Sequence, residues 1–355
     1  MKRSVLLLVS LAALSVIIGA GSFFVYRWSQ QDKSYTVIRI AQCGPSLYKI
    51  PHYIAREKSL YREQNLKIRE ITFNSDREAL DALEKGMADI ALVTPASLII
   101  KSASNLKEGP EAAAFASLDR GATYHLVATE NKPLGDFNSL KNKTIITGPP
   151  DSEETVFIEQ ALRDKGLKPY EDMTLITSIP EDVRIGALKS GTGNYLLIED
   201  KNLPEALARG LFRVKSLKAG FPAFVCVALK DFIKQNPGAL QGFTNALYMA
   251  QIWAGYHTPG ETAAALDKTS EVEGPSLPGL VESCYRNESL AASPALEKKD
   301  MEALIKMLDR SREIPMPVKA SELISGDFAS TALITVKYVP KDKQERTGLR
   351  RLKFW

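Results

Sequence analysis

Cysteine and histidine are scarce in this chain, with three of each in 355 residues. So few cysteines exclude a disulfide-built scaffold, which needs several closely spaced pairs. Cys43, Cys226 and Cys284 fit no metal-ligand spacing. Cys226 lies in the apolar run 224–229 and reads as core, while Cys43 reads as a small loop residue. His52, His125 and His257 are far apart and near no cysteine cluster, so no catalytic constellation is visible. Internal repeats and low-complexity tracts are absent as well, which excludes a solenoid. The body also lacks excess charge of either sign. The formal net charge is +4, and the tail 341–355, with six basic and two acidic residues, carries all of it. A neutral body has no basic face for nucleic acid, so no nucleic-acid partner is expected. The tail reads either as a solvated end or, being basic and ending in Phe354-Trp355, as a contact for anionic lipid.

Long hydrophobic runs are lacking too, with one exception. Met1-Lys2-Arg3 precedes an uncharged apolar run from Val5 to Tyr26, about long enough to cross a hydrocarbon core of ~30 Å. Lys2 and Arg3 should stay cytoplasmic and place the rest outside. Gly19-Ala20-Gly21 offers a signal-peptide exit site, but the run continues to an interface-like Tyr26-Arg27-Trp28, which favours an uncleaved anchor. No Leu-x-x-Cys lipidation pattern follows.

What is present is an ordinary globular composition, 45% hydrophobic and 25% charged. A chain of 355 residues exceeds one core and implies two domains. Residues 38–97 set the pattern: apolar strand, Gly-Pro loop, helix, strand, helix, strand and a Thr-Pro turn. The strand at 66–73 alternates, the helix from Asp76 puts Ala79, Leu80, Leu83 and Met87 on one face, and ADIALV is a compact buried strand. Each strand ends in a loop leading to a helix, and in an open parallel sheet those loops share the ligand-binding rim. The order recurs after residue 123, and the chain recrosses at about 216–221. A long helix is expected over 239–257, a helix over 298–312 and a strand over 329–339.

Five segments carry a resemblance. SLYREQNLKIREITF is similar to a helix-to-strand step in which Ser59-Leu60-Tyr61 stands for a usual Gly-Leu-Phe. ALDALEKGMADIALVTPAS keeps Gly86, Asp89 and Ala91 of an Ala-Leu-x-x-Gly-x-x-Asp-x-Ala strand. LKNKTIITGPPDS, IGALKSGTGNYLLIED and FIKQNPGALQGFTNALYMAQIW follow in order, with Asn142 and Asn194 departing from the usual Gly and Asp. Together they span about 36–260. They resemble the periplasmic solute-binding proteins of ABC importers, in the branch for nitrate, sulfonate, taurine and thiamine-precursor pyrimidines.

The resemblance implies an α/β, two-lobed periplasmic-binding-protein type II fold, preceded by an N-terminal hydrophobic helix. Its parts would be a signal peptide or anchor at 1–28, lobe one at 36–122 plus 222–340, lobe two at 123–221 and the basic tail at 341–355. The hinge would lie near 120–125 and 217–222. For 268–323 little beyond lobe-one packing is expected. The implied function is capture of a small organic solute (sulfonate, nitrate, taurine or pyrimidine-like) in the interlobe cleft and delivery to an ABC permease and ATPase outside the cytoplasm. A monomer with no cofactor and no catalysis is expected. The alternatives are a membrane-tethered sensory module and an enzyme on the same fold.

The rim supplies the candidate ligand residues. Cys43, Gly44 and Pro45 offer backbone donors, and Tyr48 a ring with a hydroxyl. Thr94, Pro95, Ala96 and Ser97 open one helix, and Gly148, Pro149, Asp151 and Ser152 open another in the second lobe. Free N–H groups at such helix starts suit anions. Thr94 and Ser152 are also ordinary caps, Tyr48 also reads as packing, and His52 reads as structural. Arg120 suits a carboxylate or sulfonate through two parallel bonds, or a salt bridge with Asp119. Asp151, Glu153 and Glu154 would repel a small anion, which favours a cationic or hydrogen-bonding end that Glu199 meets. Phe221 is placed to stack on a ring.

Overall fold

A computed structural model describes residues 35–104, 111–150, 152–266, 277–316 and 318–344. From Val37 onward these belong to one compact unit. The expected apolar helix within 1–28, Asp151 and most of the basic tail lie outside the described residues. Among the described residues no helix is long and apolar enough to cross a membrane.

Two five-stranded sheets form the unit. The first runs β2(Leu66–Phe73)–β1(Thr36–Cys43)–β3(Ile90–Val93)–β10(Val225–Leu229)–β4(Ala112–Ser117). β1 and β3 are parallel, pairing Ile40 with Ile90, while β10 runs antiparallel between β3 and β4. Ile90–Val93 is buried throughout, as a strand covered on both faces must be. The second sheet runs β7(Thr174–Ile176)–β6(Thr144–Ile146)–β8(Tyr195–Glu199)–β5(Thr123–Ala128)–β9(Phe212–Lys218). β6 is parallel to β7 and β8, whereas β5 is antiparallel to β8 and β9.

The chain leaves the first sheet through 118–122 and returns through 219–224. These crossings lie side by side: Leu118 N donates to Phe224 O at 3.2 Å and Ala219 N to Ala122 O at 2.9 Å. Gly121, at φ +108°, makes the approach possible. A Cβ there would sit 2.5 Å from Phe221 O and 2.6 Å from Ala219 O.

Six helices matter for the site and are numbered in chain order: α1(Ile50–Glu57), α2(Asp76–Glu84), α3(Pro95–Ser104), α4(Glu153–Arg163), α5(Pro237–Tyr256) and α6(Lys298–Arg310). α5 backs the first sheet, with Phe243 fully buried and stacked on Tyr61 at 5.1 Å. α1 stops at Glu57 because Ser59 adopts φ +58°, which splits the expected single helix from the short Leu60–Glu63 turn.

Three expectations need correction. Residues 329–339 are not a strand. Phe328–Thr335 is helical, its β-branched residues overridden by packing on α5, where Gln241 Nε2 donates to Phe328 O at 3.0 Å. β9 was not foreseen; its alternation is masked by three basic residues on an exposed edge. Finally, 268–323 does more than pack on lobe one. Arg120 N donates to Ser289 O at 2.8 Å beside the first crossing. At the end of α6, Ser311 Oγ lies 3.0 Å from Arg163 Nη1 and 3.1 Å from Glu159 Oε2, both on α4 of the second lobe.

Candidate functional site

The crossings are pinned by one carboxylate. Asp119, 2% exposed, accepts Gly121 N at 2.7 Å and Ala223 N at 2.8 Å on Oδ1, and Phe224 N at 2.8 Å on Oδ2. It thus joins the outgoing and returning segments. Burial pushes its carboxyl up to about 7, against the pull of those three N–H groups. On the same pivot, Thr123 N donates to the Tyr48 hydroxyl at 3.2 Å, so Tyr48 ties the first loop of lobe one to the start of lobe two.

Lys49 secures that loop. Its side chain is fully buried, and Nζ donates to Cys43 O at 3.0 Å and Gly44 O at 2.8 Å. The ammonium also lies 4.7 Å from the centre of the Phe224 ring, on the returning crossing.

The strand-end loops carry carboxylates where anion sites were expected. At the start of α3, Thr94 N donates to Asp76 Oδ2 at 2.8 Å and Ser97 Oγ to the same oxygen at 3.2 Å. Thr94 Oγ1 in turn accepts Ser97 N at 3.2 Å. The helix start of lobe one is therefore filled by the protein's own negative charge. In lobe two, Ser152 caps α4 by accepting Thr155 N at 3.4 Å, and Glu153 and Glu154 follow at once. Glu154 is held by Arg184 Nη1 at 2.7 Å. Gly148 has no room for a Cβ because the Glu154 carboxylate and Ser152 Oγ press against it. Among the described residues Glu153 has no such cation; the Tyr124 hydroxyl donates to its Oε1 at 3.4 Å.

Glu153 marks where the lobes converge. Burial pushes its carboxyl well above the usual range, and the charges of Glu199, Asp119 and Asp76 push it further. Those three come from the end of β8, the hinge and lobe one. Burial likewise raises the Tyr48 phenol well above its ordinary value, helped by Glu199, and the Tyr124 phenol well above its own, helped by Glu153 and Glu199. Tyr124 stacks on Phe157 of α4, with centroids 4.8 Å apart. One apolar cluster runs from Ala41, Tyr48, Val93 and Ala96 of lobe one to Ala122, Tyr124 and Phe157. The junction of the lobes is thus packed with buried aromatic rings and flanked by carboxylates.

Not all expected residues meet here. Tyr48 is bonded to Thr123 at the crossing, the Thr94, Ser97 and Ser152 hydroxyls are engaged at their own helix starts, and Glu199 ends β8. Cys43 lies near Asp76 and is half-buried; burial first, then Asp76, raise its thiol. Gly44, at φ +49°, and Pro45 complete that loop. Pro149 accepts the Ser152 hydroxyl at 2.7 Å. Arg120 stands apart. It is exposed and lines an outer crevice with Glu297, Lys299 and Asp300, and Asp119 is spent on backbone N–H groups instead of on it. Phe221 is 5% exposed and lines a side cavity with Phe157. The sequence reading missed Asp76, Lys49, Asp119, Tyr124 and Phe157. Only Asp76 carried a signal, as an acid at a helix start one strand before Thr94.

Comparison with known proteins agrees with this arrangement. Residues 46–259 match the family described as NMT1/THI5 like. YtlA of Bacillus subtilis strain 168, a candidate binding protein, is 26% identical over 310 residues, covering 84% of this chain and 91% of YtlA. The 4-amino-5-hydroxymethyl-2-methylpyrimidine phosphate synthase THI13 of Saccharomyces cerevisiae is 24% identical over 221 residues, covering 58% of this chain and 63% of THI13. Among solved structures, the periplasmic sulfonate-binding protein SsuA of Methylobacillus flagellatus superposes with a TM-score of 0.68 at 18% identity, over 85% of this chain and 94% of its own. The periplasmic nitrate-binding protein NrtA of Synechocystis gives 0.65 at 16% identity, over 87% and 90%. Two sheets joined by paired crossings, and a family match spanning most of both, lead to one assignment: the chain has the periplasmic-binding-protein fold and belongs to the NMT1/THI5-like family.

Proposed function

We propose that this protein is an extracytoplasmic solute-binding protein that closes its lobes on a small organic solute and delivers it to an ABC permease and ATPase. The observation that carries this reading is the junction of the lobes, where Asp119 pins both crossings, Tyr48 accepts Thr123 N and Tyr124 donates to Glu153 at the start of α4. Carboxylates at both helix starts oppose a small anion. The solute therefore carries a cationic or hydrogen-bond-donating end. Named relatives bind sulfonate or nitrate, but this chain places Asp76 where a helix start would receive such an anion.

Binding without turnover fits the histidines. His52 lies 2.8 Å from the Tyr61 hydroxyl and 3.2 Å from Glu70, and burial lowers its pKa. His125 lies 2.7 Å from Asp200, and His257 the same distance from Asp342. Export through the apolar run 5–26, with Lys2 and Arg3 behind it, belongs to the same proposal.

The test is a thermal-shift panel on the full chain with primary amines, aminopyrimidines, alkylsulfonates, taurine and nitrate. Stabilisation by amine-bearing compounds without product formation supports the reading. Stabilisation by nitrate or sulfonates alone overturns the solute class, and no shift across the panel overturns the function.

A further inference from the structure

A cavity of about 790 Å³ lies where the two lobes meet. Its walls come from α4 and the β9 edge of lobe two and from α6, which is packed on lobe one. None of the loops 43–48, 94–97 and 148–152 lines it. Its volume falls in the range of small-molecule pockets.

The chemistry of this cavity is opposite to that of the gap. The inner surface is apolar, with Phe157, Phe221 and Met307 buried and Leu217 half-buried. Lys165, Lys215, Lys306 and Arg310 surround it, and none of the ion pairs among the described residues involves them. Lys218 is also in the lining, but its ammonium is spent on Asn287 O at 2.7 Å and Glu288 O at 3.2 Å. Two acids are present: Asp136 accepts Asn138 Nδ2 at 3.0 Å, and Asp164 accepts Gln160 Nε2.

We propose that this cavity is a second binding site, for an organic anion with an aromatic or branched apolar body. The anionic group meets Lys306 and Arg310 on α6 and Lys165 and Lys215 on lobe two. The apolar body lies on Phe157 and Met307. Such a ligand draws basic side chains of both lobes to one charge, so it favours the closed arrangement. It also touches Phe157, whose ring stacks on Tyr124 of the gap. Occupancy of the two sites is therefore coupled, and the coupling is reciprocal. The proposal stands whether or not the gap takes a cation.

8-Anilinonaphthalene-1-sulfonate, which has a fused ring, an N–H and an anionic group, is the probe. Its fluorescence is titrated into the full chain, the Lys306→Gln/Arg310→Gln double variant, and Lys298→Gln, which removes a charge from the same helix outside the cavity. One saturable site is expected, displaced by 1-naphthoate and not by 1-naphthylamine. The double variant should bind about tenfold more weakly, with Lys298→Gln like the parent. Equal affinity in parent and double variant, an equal loss in Lys298→Gln, or displacement by the amine overturns the proposal. If the double variant does not fold, Lys215→Gln replaces it on the opposite wall, with the same two outcomes.

Discussion

Asp76 accepts the backbone N–H of Thr94 at 2.8 Å, across 18 residues of chain. That bond fills the helix start of lobe one with a carboxylate, and in the proposed function it sets the charge of the solute. Asp76→Ala should cost about 2 kcal/mol, the scale of a charge-assisted backbone bond, and urea denaturation measures it. The same variant should gain affinity for methanesulfonate by calorimetry, because the freed N–H groups and the Ser97 hydroxyl then face the gap. A variant that loses stability and gains no anion affinity would show that Asp76 only caps.

Asp119 makes the stability of the crossings depend on pH. Its folded pKa is raised to about 7 from an ordinary 3.8. Between those values the folded state holds a proton that the unfolded state has released, so the contribution of Asp119 to stability falls as pH rises through this window. Urea midpoints for parent and Asp119→Asn should converge or cross between pH 4 and pH 7. A parallel pair of curves would contradict the shift.

Gly121→Ala drives a methyl group into Phe221 O and Ala219 O at a backbone angle that L residues rarely adopt. A loss of about 3 kcal/mol or more is expected, read as a lower midpoint in thermal unfolding. Gly220, whose Cβ position meets nothing within 4 Å, is the control.

Lys49→Met keeps the apolar stem and removes the ammonium from Cys43 O and Gly44 O. Two carbonyls lose a charged donor, at a cost of about 2–4 kcal/mol. Freeing the loop should also raise proteolytic cleavage between Cys43 and Tyr48. Unchanged protection there would mean that Pro45 and the Tyr48–Thr123 bond hold the loop unaided.

Much of the fold was legible because its signals are local. The run at Ala88–Val93 reads as a strand buried on both faces, and Ser152 announces α4 by capping chemistry. The two-lobed order came from the resemblance that the five segments carry. The site was less legible because its decisive contacts are long-range. Nothing near Lys49 in sequence says that Phe224 will lie under its ammonium. Arg120 drew attention as Asp119's neighbour, yet the crossing geometry gives that carboxylate to Ala223 and Phe224 and leaves Arg120 outside. The 328–335 helix failed for the same reason, since its contacts with α5 outweigh its own composition.

The most direct test is a calorimetric titration of the full chain, repeated at rising pH across the range in which it stays folded, with whichever amine-bearing compound stabilises it best. The gap carries more negative charge once Glu153 loses its proton. Binding should therefore be one to one, tighten as pH rises, and weaken about tenfold or more in Glu153→Gln with the pH dependence reduced. A ligand that is consumed, or one whose affinity ignores both pH and Glu153→Gln, would contradict a gap that holds a cationic solute unchanged between its carboxylates.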